Sequence, residues 1–138
     1  MRDVRGGMAV VVDASAVVEW LARRPSAAPV ERALIDDHAF APELLDVEVL
    51  SALARAVRSG RVSNRDGRRA VDVLLGAPIA RVPHLGLAPD AWSRTGNVSA
   101  YDAFYVALAA RLSCPLITAD RQLARAPRLG IAVTLLPI

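Results

Sequence analysis

Five consecutive apolar residues, Met8 to Val12, lead directly into Asp13 near the start of the chain. A strand with one face in water alternates apolar and polar residues, but this run does not alternate and is rich in β-branched valine. We therefore predict a strand buried on both faces, at the centre of a parallel sheet. Residues 1–7, which precede it, are expected to form a loose N-terminal tail.

Helical and strand-like segments alternate along the rest of the chain. Apolar residues recur at helical spacing from Ser15 until Pro25 ends the segment. Further helices are predicted over 29–36, 42–60, 63–76, 89–94 and 99–112, and strands over 39–41, 80–83, 115–118 and 131–135. In the helix that begins at Pro42, the expected buried stripe is Leu50, Leu53 and Val57. Right-handed crossovers then give a three-layer α/β/α sandwich with a mostly parallel central sheet, and 138 residues suit a single domain.

The amino-acid composition indicates which cellular compartment and which kind of binding partner the protein favours. The net charge of +3 comes with 17 arginines and no lysine, and guanidinium groups bind phosphate well, although arginine is also abundant in proteins from GC-rich genomes. A polyanionic partner is modestly favoured. The single Cys114 excludes an internal disulfide framework and suits a reducing cytosol, and it is expected to be buried beside Leu112 and Leu116. Asp13 interrupts the first apolar run too early for a secretory signal, and no run reaches membrane-spanning length, so we expect a cytoplasmic protein.

Four carboxylates fall at informative places in this pattern. Asp13 and Asp120 follow predicted strands and Asp102 opens a predicted helix, so each alone also fits a helix-capping role. Glu48 has Leu44 one turn before it, which predicts partial desolvation and a need for a metal, a counter-charge or a raised pKa. The alternative is a glutamate that reaches solvent or pairs with an arginine.

As a set, the four carboxylates are more informative than they are singly. Strands of a parallel sheet present their carboxyl ends at one edge, where ligands bind. Carboxylates gathered there would repel one another unless a divalent cation lay between them, and oxygen ligands favour Mg²⁺ or Mn²⁺. His38 and His84 lack metal-ligand spacing and are expected on the surface or in loops.

Four motifs follow one another along the chain: Val11-Val-Asp13-Ala-Ser15-Ala, Pro42 followed by Leu44-Leu-Asp-Val-Glu48-Val-Leu, Ser99-Ala-Tyr-Asp102-Ala-Phe-Tyr-Val-Ala-Leu-Ala109, and Leu116-Ile-Thr118-Ala-Asp120. In this order and spacing the chain resembles the PIN domain, and more narrowly the VapC-type toxins of bacterial toxin–antitoxin pairs. The resemblance covers nearly the whole chain from Met8. The segment 78–97 matches no motif.

The resemblance implies a function and a set of site residues. It implies a Mg²⁺-dependent endoribonuclease directed at single-stranded RNA, held silent by a small antitoxin protein and usually a homodimer. The acidic quartet would be Asp13, Glu48, Asp102 and Asp120, with Ser15 and Thr118 as hydroxyl positions beside it. A local cap or turn bond is the alternative role for either hydroxyl.

Several further residues and other protein classes bear on this interpretation. Arg55, Arg94 and Arg121 are candidates for contacting an RNA backbone, whereas Trp20 and Trp92 are expected to pack in the core. A haloacid-dehalogenase-type phosphatase needs a second aspartate where this chain has Ser15, and a receiver domain needs a lysine that the chain lacks. A catalytically silent RNA-binding or antitoxin-binding module with the same fold remains open.

Overall fold

The computed structural model describes residues 7–138, so the tail predicted over 1–7 lies almost wholly outside the described residues. A five-stranded sheet, all of whose pairs are parallel, has the order β3-β2-β1-β4-β5. Its strands are β1 (Ala9–Val12), β2 (His38–Pro42), β3 (Ile79–Val82), β4 (Leu116–Thr118) and β5 (Val133–Leu135). The central position predicted for the first strand is confirmed, and all four residues of β1 are buried.

Seven α-helices connect and cover these strands within residues 7–138. They are α1 (Ala14–Leu21), α2 (Ala28–Asp36), α3 (Leu44–Arg58), α4 (Asn64–Gly76), α5 (Ala88–Arg94), α6 (Ala100–Leu112) and α7 (Arg121–Arg125), and a 3₁₀ turn spans Pro25–Ala27. Helix α6 contacts β1, β2 and β4, whereas α1 contacts β4, α2 and α3. The three-layer α/β/α sandwich with a mostly parallel sheet is thus the observed architecture.

Helix α6 is apolar on nearly every side, as its sequence predicted. Ala103 and residues 105–109 are all buried. Its N-terminus is capped by Ser99, whose hydroxyl accepts a hydrogen bond from the backbone N–H of Asp102 at 3.1 Å. A helix enclosed in this way holds its first turn in a fixed place relative to the sheet.

The start of α3 and its buried face differ from the prediction. Pro42 ends β2, paired with Val82, and does not begin the helix. The pairing of β2 with β1 already stops at Phe40, so a proline two residues later removes no donor from that ladder. The core-facing residues of α3 are Leu44, Leu45 and Val49.

The predicted stripe of α3 is only partly wrong, because Leu53 is partly buried and packs against the main core. Leu50 is 43% exposed, and it lines, with Leu53 and Val57, a groove of about 770 Å³ between α3 and α4. One residue of rotation, about 100°, separates the two faces of the helix. His38 is also placed differently, because it begins β2 and does not lie in a loop.

Two expectations drawn from composition can be compared with this architecture. Cys114 is buried, as predicted. Among the helices of residues 7–138, none has both the length and the apolar character that crossing a membrane requires.

Candidate metal centre

All four predicted carboxylates follow the carboxyl ends of strands or lie on helices packed there. Asp13 comes directly after β1 and Asp120 comes two residues after β4. Glu48 lies in the second turn of α3, which follows β2, and Asp102 lies in the first turn of the buried helix α6. Four separate segments thus contribute one carboxylate each to this edge of the sheet.

Asp13 is the most buried of the four carboxylates, and its side chain accepts three hydrogen bonds. Asp13 is only 4% exposed to solvent. Oδ1 accepts hydrogen bonds from the Ser15 hydroxyl at 2.7 Å and the Ala16 N–H at 2.9 Å, and Oδ2 accepts from the Thr118 hydroxyl. Asp13 is therefore the N-cap of α1, which is one of the two roles that its position in the sequence suggests.

The environment of Asp13 opposes its ionisation despite these bonds. Burial raises its pKa from the ordinary 3.8 to about 6, while hydrogen bonds from Thr118, Ser15 and the Ala16 N–H act in the opposite direction. The negative charge of Asp102 raises the pKa further. A buried carboxylate of this kind gains most from a cation placed beside it.

Glu48 is held by a tyrosine that the sequence analysis did not identify. The Tyr105 hydroxyl, on α6, donates a hydrogen bond to Glu48 Oε1 at 2.8 Å. Partial burial raises the pKa of Glu48, the Tyr105 bond lowers it, and the charge of Asp102 raises it. Tyr105 is 1% exposed, and burial followed by the charge of Glu48 raises its pKa. The available sequence signal was that Tyr105, unlike Tyr101 of the same helix, lies within an unbroken apolar stretch.

Asp102 is the electrostatic centre of the group. Burial, and then the charge of Asp120, raises the pKa of Asp102, while the Ser99 hydroxyl lowers it. Since Asp102 also raises the pKa of Asp13 and of Glu48, it interacts with all three of the other carboxylates. The side chain of Asp120 caps α7, accepting from the N–H groups of residues 122 and 123.

Ser15 and Thr118 connect the ends of the two central strands. The Ser15 hydroxyl accepts from the Ala119 N–H at 2.9 Å and lies 3.2 Å from the Thr118 hydroxyl oxygen. Thr118 has no exposed surface and accepts from the Asp120 N–H at 3.0 Å. Both hydroxyls therefore orient Asp13, and Thr118 also fixes the backbone that carries Asp120.

The donor set suits a hard divalent cation, although it is not arranged as a closed cage. Every candidate ligand is a carboxylate oxygen, which is the donor that Mg²⁺ and Mn²⁺ prefer. Within residues 7–138, however, no three acidic, histidine or cysteine side chains are grouped closely enough to hold one ion together. Mg²⁺ commonly keeps several waters and takes only one or two carboxylates directly, so the set fits such an ion through waters.

The three arginines proposed for RNA contact differ in their surroundings. Arg55 is exposed and donates to the Ser51 hydroxyl at 2.9 Å. Arg94 forms an ion pair with Asp90 at 3.0 Å and donates to the Leu129 carbonyl at 2.9 Å. Arg121 is exposed and donates to the carbonyl of residue 138.

The two tryptophans also differ. Trp92 is 78% exposed, so the expectation that it packs in the core is wrong. It lies on the short helix α5, whose buried side is provided by Ala91. Trp20 is partly buried beside the main core, and its indole N–H donates to Glu31.

Comparison with solved structures places this architecture among known folds. The chain superimposes on VapBC2 from Rickettsia felis, solved bound to a promoter DNA fragment, with a TM-score of 0.69 over 93% of this chain and 98% of that one, at 11% identity. A toxin–antitoxin complex from Klebsiella pneumoniae gives a TM-score of 0.63 over 91% and 95% of the two chains, at 15% identity. At such identities the likeness concerns the fold alone.

Sequence comparison identifies the family. The family model described as PIN domain matches residues 10–129, and the chain belongs to that family. It is 45% identical to Ribonuclease VapC1 of Mycobacterium tuberculosis (strain H37Rv), over 91% of this chain and 96% of the relative. It is 37% identical to Ribonuclease VapC9 of the same strain, over 93% and 98%.

Proposed function

We propose that this chain is a Mg²⁺-dependent endoribonuclease and the toxin of a VapBC-type toxin–antitoxin pair, acting in the cytosol on RNA. The observation that carries the proposal is the electrostatic coupling of Asp13, Glu48 and Asp120 to Asp102 at the carboxyl edge of the sheet. Membership of the PIN family and the ribonuclease relatives support the same reading.

The four carboxylates, Asp13, Glu48, Asp102 and Asp120, would hold the metal. The bound ion supplies Lewis acidity, which polarises a phosphodiester and lowers the pKa of a water. The chain's own residues prepare the site for it: Tyr105 fixes one oxygen of Glu48, and the Ser15 and Thr118 hydroxyls fix Asp13.

The raised pKa values have a role in this scheme. Without a cation, burial and mutual repulsion leave Asp13, Glu48 and Asp102 reluctant to ionise. Binding a divalent ion reverses this preference, so metal binding releases protons and stabilises the fold. A bound cation would therefore reduce the unfavourable electrostatic free energy of the ionised carboxylates.

Exposed basic side chains supply an approach for the RNA backbone. Arg121 directly follows Asp120, and Arg55 lies two turns beyond Glu48 on nearly the same face of α3. Both are exposed, which suits them to phosphate contact. Arg94 is the weaker of the three candidates because its guanidinium already bonds Asp90 and a backbone carbonyl.

Cleavage of RNA tests the enzymatic proposal. Purified protein is incubated with total RNA in Mg²⁺, in Mn²⁺ or in EDTA, and Asp102→Asn serves as the matched inactive variant. Cleavage by the wild type that requires metal and disappears in Asp102→Asn is the expected result. Binding of RNA without cleavage under all conditions would favour a catalytically silent module instead.

The partner is tested separately. We infer a small antitoxin protein because VapBC2 and the Klebsiella complex are toxin–antitoxin assemblies of this fold. Co-expression with the product of the neighbouring small gene should give a tight complex that suppresses cleavage. Sedimentation of the free toxin would test the homodimer implied by the family, and a failure of either partner test leaves the nuclease proposal standing.

A further inference from the structure

His84 lies in the connection between β3 and α5, within the segment 78–97 to which no motif was assigned. Its imidazole Nε2 accepts a hydrogen bond from the backbone N–H of Leu44 at 2.8 Å. Helix α3 begins at Leu44, and Glu43 before it provides no side-chain cap. The first turn of α3 is therefore capped by a side chain 40 residues further along the chain.

The same imidazole also contacts the helix that carries Asp102. Its ring packs against Phe104 of α6, with the ring centroids 5.1 Å apart and the planes tilted by 59°. The backbone of His84 is fixed as well, because its carbonyl accepts from the N–H groups of Leu87 at 2.9 Å and Ala88 at 3.0 Å. Leu87 is itself buried. The backbone of His84 is thus fixed by its own loop, while its ring contacts α3 and α6.

These two contacts lie close to two of the four carboxylates. Glu48 is one turn along α3 from Leu44, and Asp102 is two residues before Phe104. The imidazole accepts from Leu44 only while Nε2 is unprotonated, so its neutral form makes the connection.

We propose that His84 is a positioning residue, which fixes the separation of Glu48 and Asp102 by bridging the N-terminal ends of their helices and thereby sets the affinity of the acidic site for a divalent cation. The proposal rests on the metal site of the proposed function. It gives a role to the part of the chain that no motif explains. His84 does not coordinate the ion in this scheme.

Matched substitutions separate the two contacts. His84→Phe keeps an aromatic ring for Phe104 but removes the acceptor for the Leu44 N–H. His84→Gln keeps an acceptor at a similar reach and removes the ring. The control is His38→Gln, which replaces the other histidine of the chain, at the amino end of β2 and away from the carboxyl edge.

The readout is Mn²⁺ binding to the full-length protein, followed by electron paramagnetic resonance, beside kcat and KM for RNA cleavage. His84→Phe should weaken Mn²⁺ binding on the order of tenfold or more, as loss of a residue supporting metal ligands does. His84→Gln, which loses only the ring contact with Phe104, should weaken Mn²⁺ binding measurably but less than His84→Phe does, and the control should match the wild type. The loss should appear in kcat at saturating RNA, with KM unchanged, because His84 does not contact RNA.

Several outcomes would overturn the proposal. Wild-type Mn²⁺ affinity in a folded His84→Phe would do so, and so would equal losses in His84→Phe and His84→Gln. Should His84→Phe fail to fold, Phe104→Leu removes the ring contact alone, and wild-type Mn²⁺ affinity in that variant contradicts the bridge. Mn²⁺ binding without RNA cleavage by the wild type refutes only the proposed function, whereas absence of Mn²⁺ binding refutes the positioning role as well.

Discussion

Replacing Asp13 with asparagine should stabilise the metal-free protein at neutral pH while abolishing RNA cleavage. The folded-state pKa of Asp13 is about 6 against an ordinary value of 3.8. One pKa unit corresponds to about 1.4 kcal/mol, so ionised Asp13 costs the metal-free fold about 3 kcal/mol at pH 7. The amide carries no charge, and asparagine caps a helix as well as aspartate does.

The net gain is smaller than the full electrostatic cost. The two carboxylate oxygens accept bonds from the Ser15 and Thr118 hydroxyls, whereas asparagine keeps one oxygen and has an NH₂ group in place of the other, so one of these bonds is lost. Allowing roughly 1 to 2 kcal/mol for the lost bond leaves Asp13→Asn more stable than the wild type by about 1 to 2 kcal/mol at pH 7 in EDTA. In saturating Mg²⁺ the order should reverse, because only the wild type binds the ion fully.

The sign of the pH dependence provides the sharper test. A carboxyl group with a raised folded-state pKa favours folding at low pH, and that contribution is lost as the pH rises from about 3.8 to about 6. The difference in unfolding free energy between Asp13→Asn and the wild type should therefore grow from pH 4 to pH 7. Urea denaturation in EDTA measures it, with the exposed Asp72→Asn as the control. A variant that is less stable at both pH values and still cleaves RNA would refute the reasoning.

Three further predictions concern the residues that support the site. Tyr105→Phe removes the donor to Glu48, so it should lower the free energy of unfolding, measured by urea denaturation, by about 1 to 3 kcal/mol. It should also weaken Mn²⁺ binding, and an unchanged Mn²⁺ affinity would contradict this prediction. Thr118→Val removes a buried donor and should raise the pKa of Asp13 above about 6, as carboxyl ¹³C shifts would show, whereas a lowered pKa would be inconsistent. Mg²⁺ at a hundred times its dissociation constant should stabilise the wild type by about 2.7 kcal/mol. The stabilisation should be smaller at pH 5. Equal stabilisation of Asp102→Asn would argue against this site.

The fold could be predicted from the sequence because the unbroken apolar run of β1 requires a strand at the centre of a parallel sheet. The unbroken apolar run of β1 required burial on both faces, and the structure meets that requirement at the centre of the sheet. The face of α3 was predicted less well. Leu50 and Val49 are adjacent, and only the contact of α3 with its neighbours decides which of the two enters the core.

The elements that carry the four carboxylates could be placed from the sequence, but the hydrogen bonds that support these side chains could not. Strand ends in a parallel sheet share an edge, so the positions of Asp13 and Asp120 followed from local pattern. The bond from Tyr105 to Glu48 joins residues 57 apart, and the cap that His84 provides joins residues 40 apart. Such contacts depend on how α6 and the loop after β3 pack, which periodicity does not encode.

The insertion of β4 beside β1 has a consequence for synthesis on the ribosome. Thr118 and Asp13, which this pairing brings into contact, are 105 residues apart in the chain. A nascent or stalled chain that ends before β4 lacks the partner that orients Asp13 and lacks Asp120 altogether. The candidate site is therefore complete only once nearly the entire polypeptide has been synthesised and has left the ribosome.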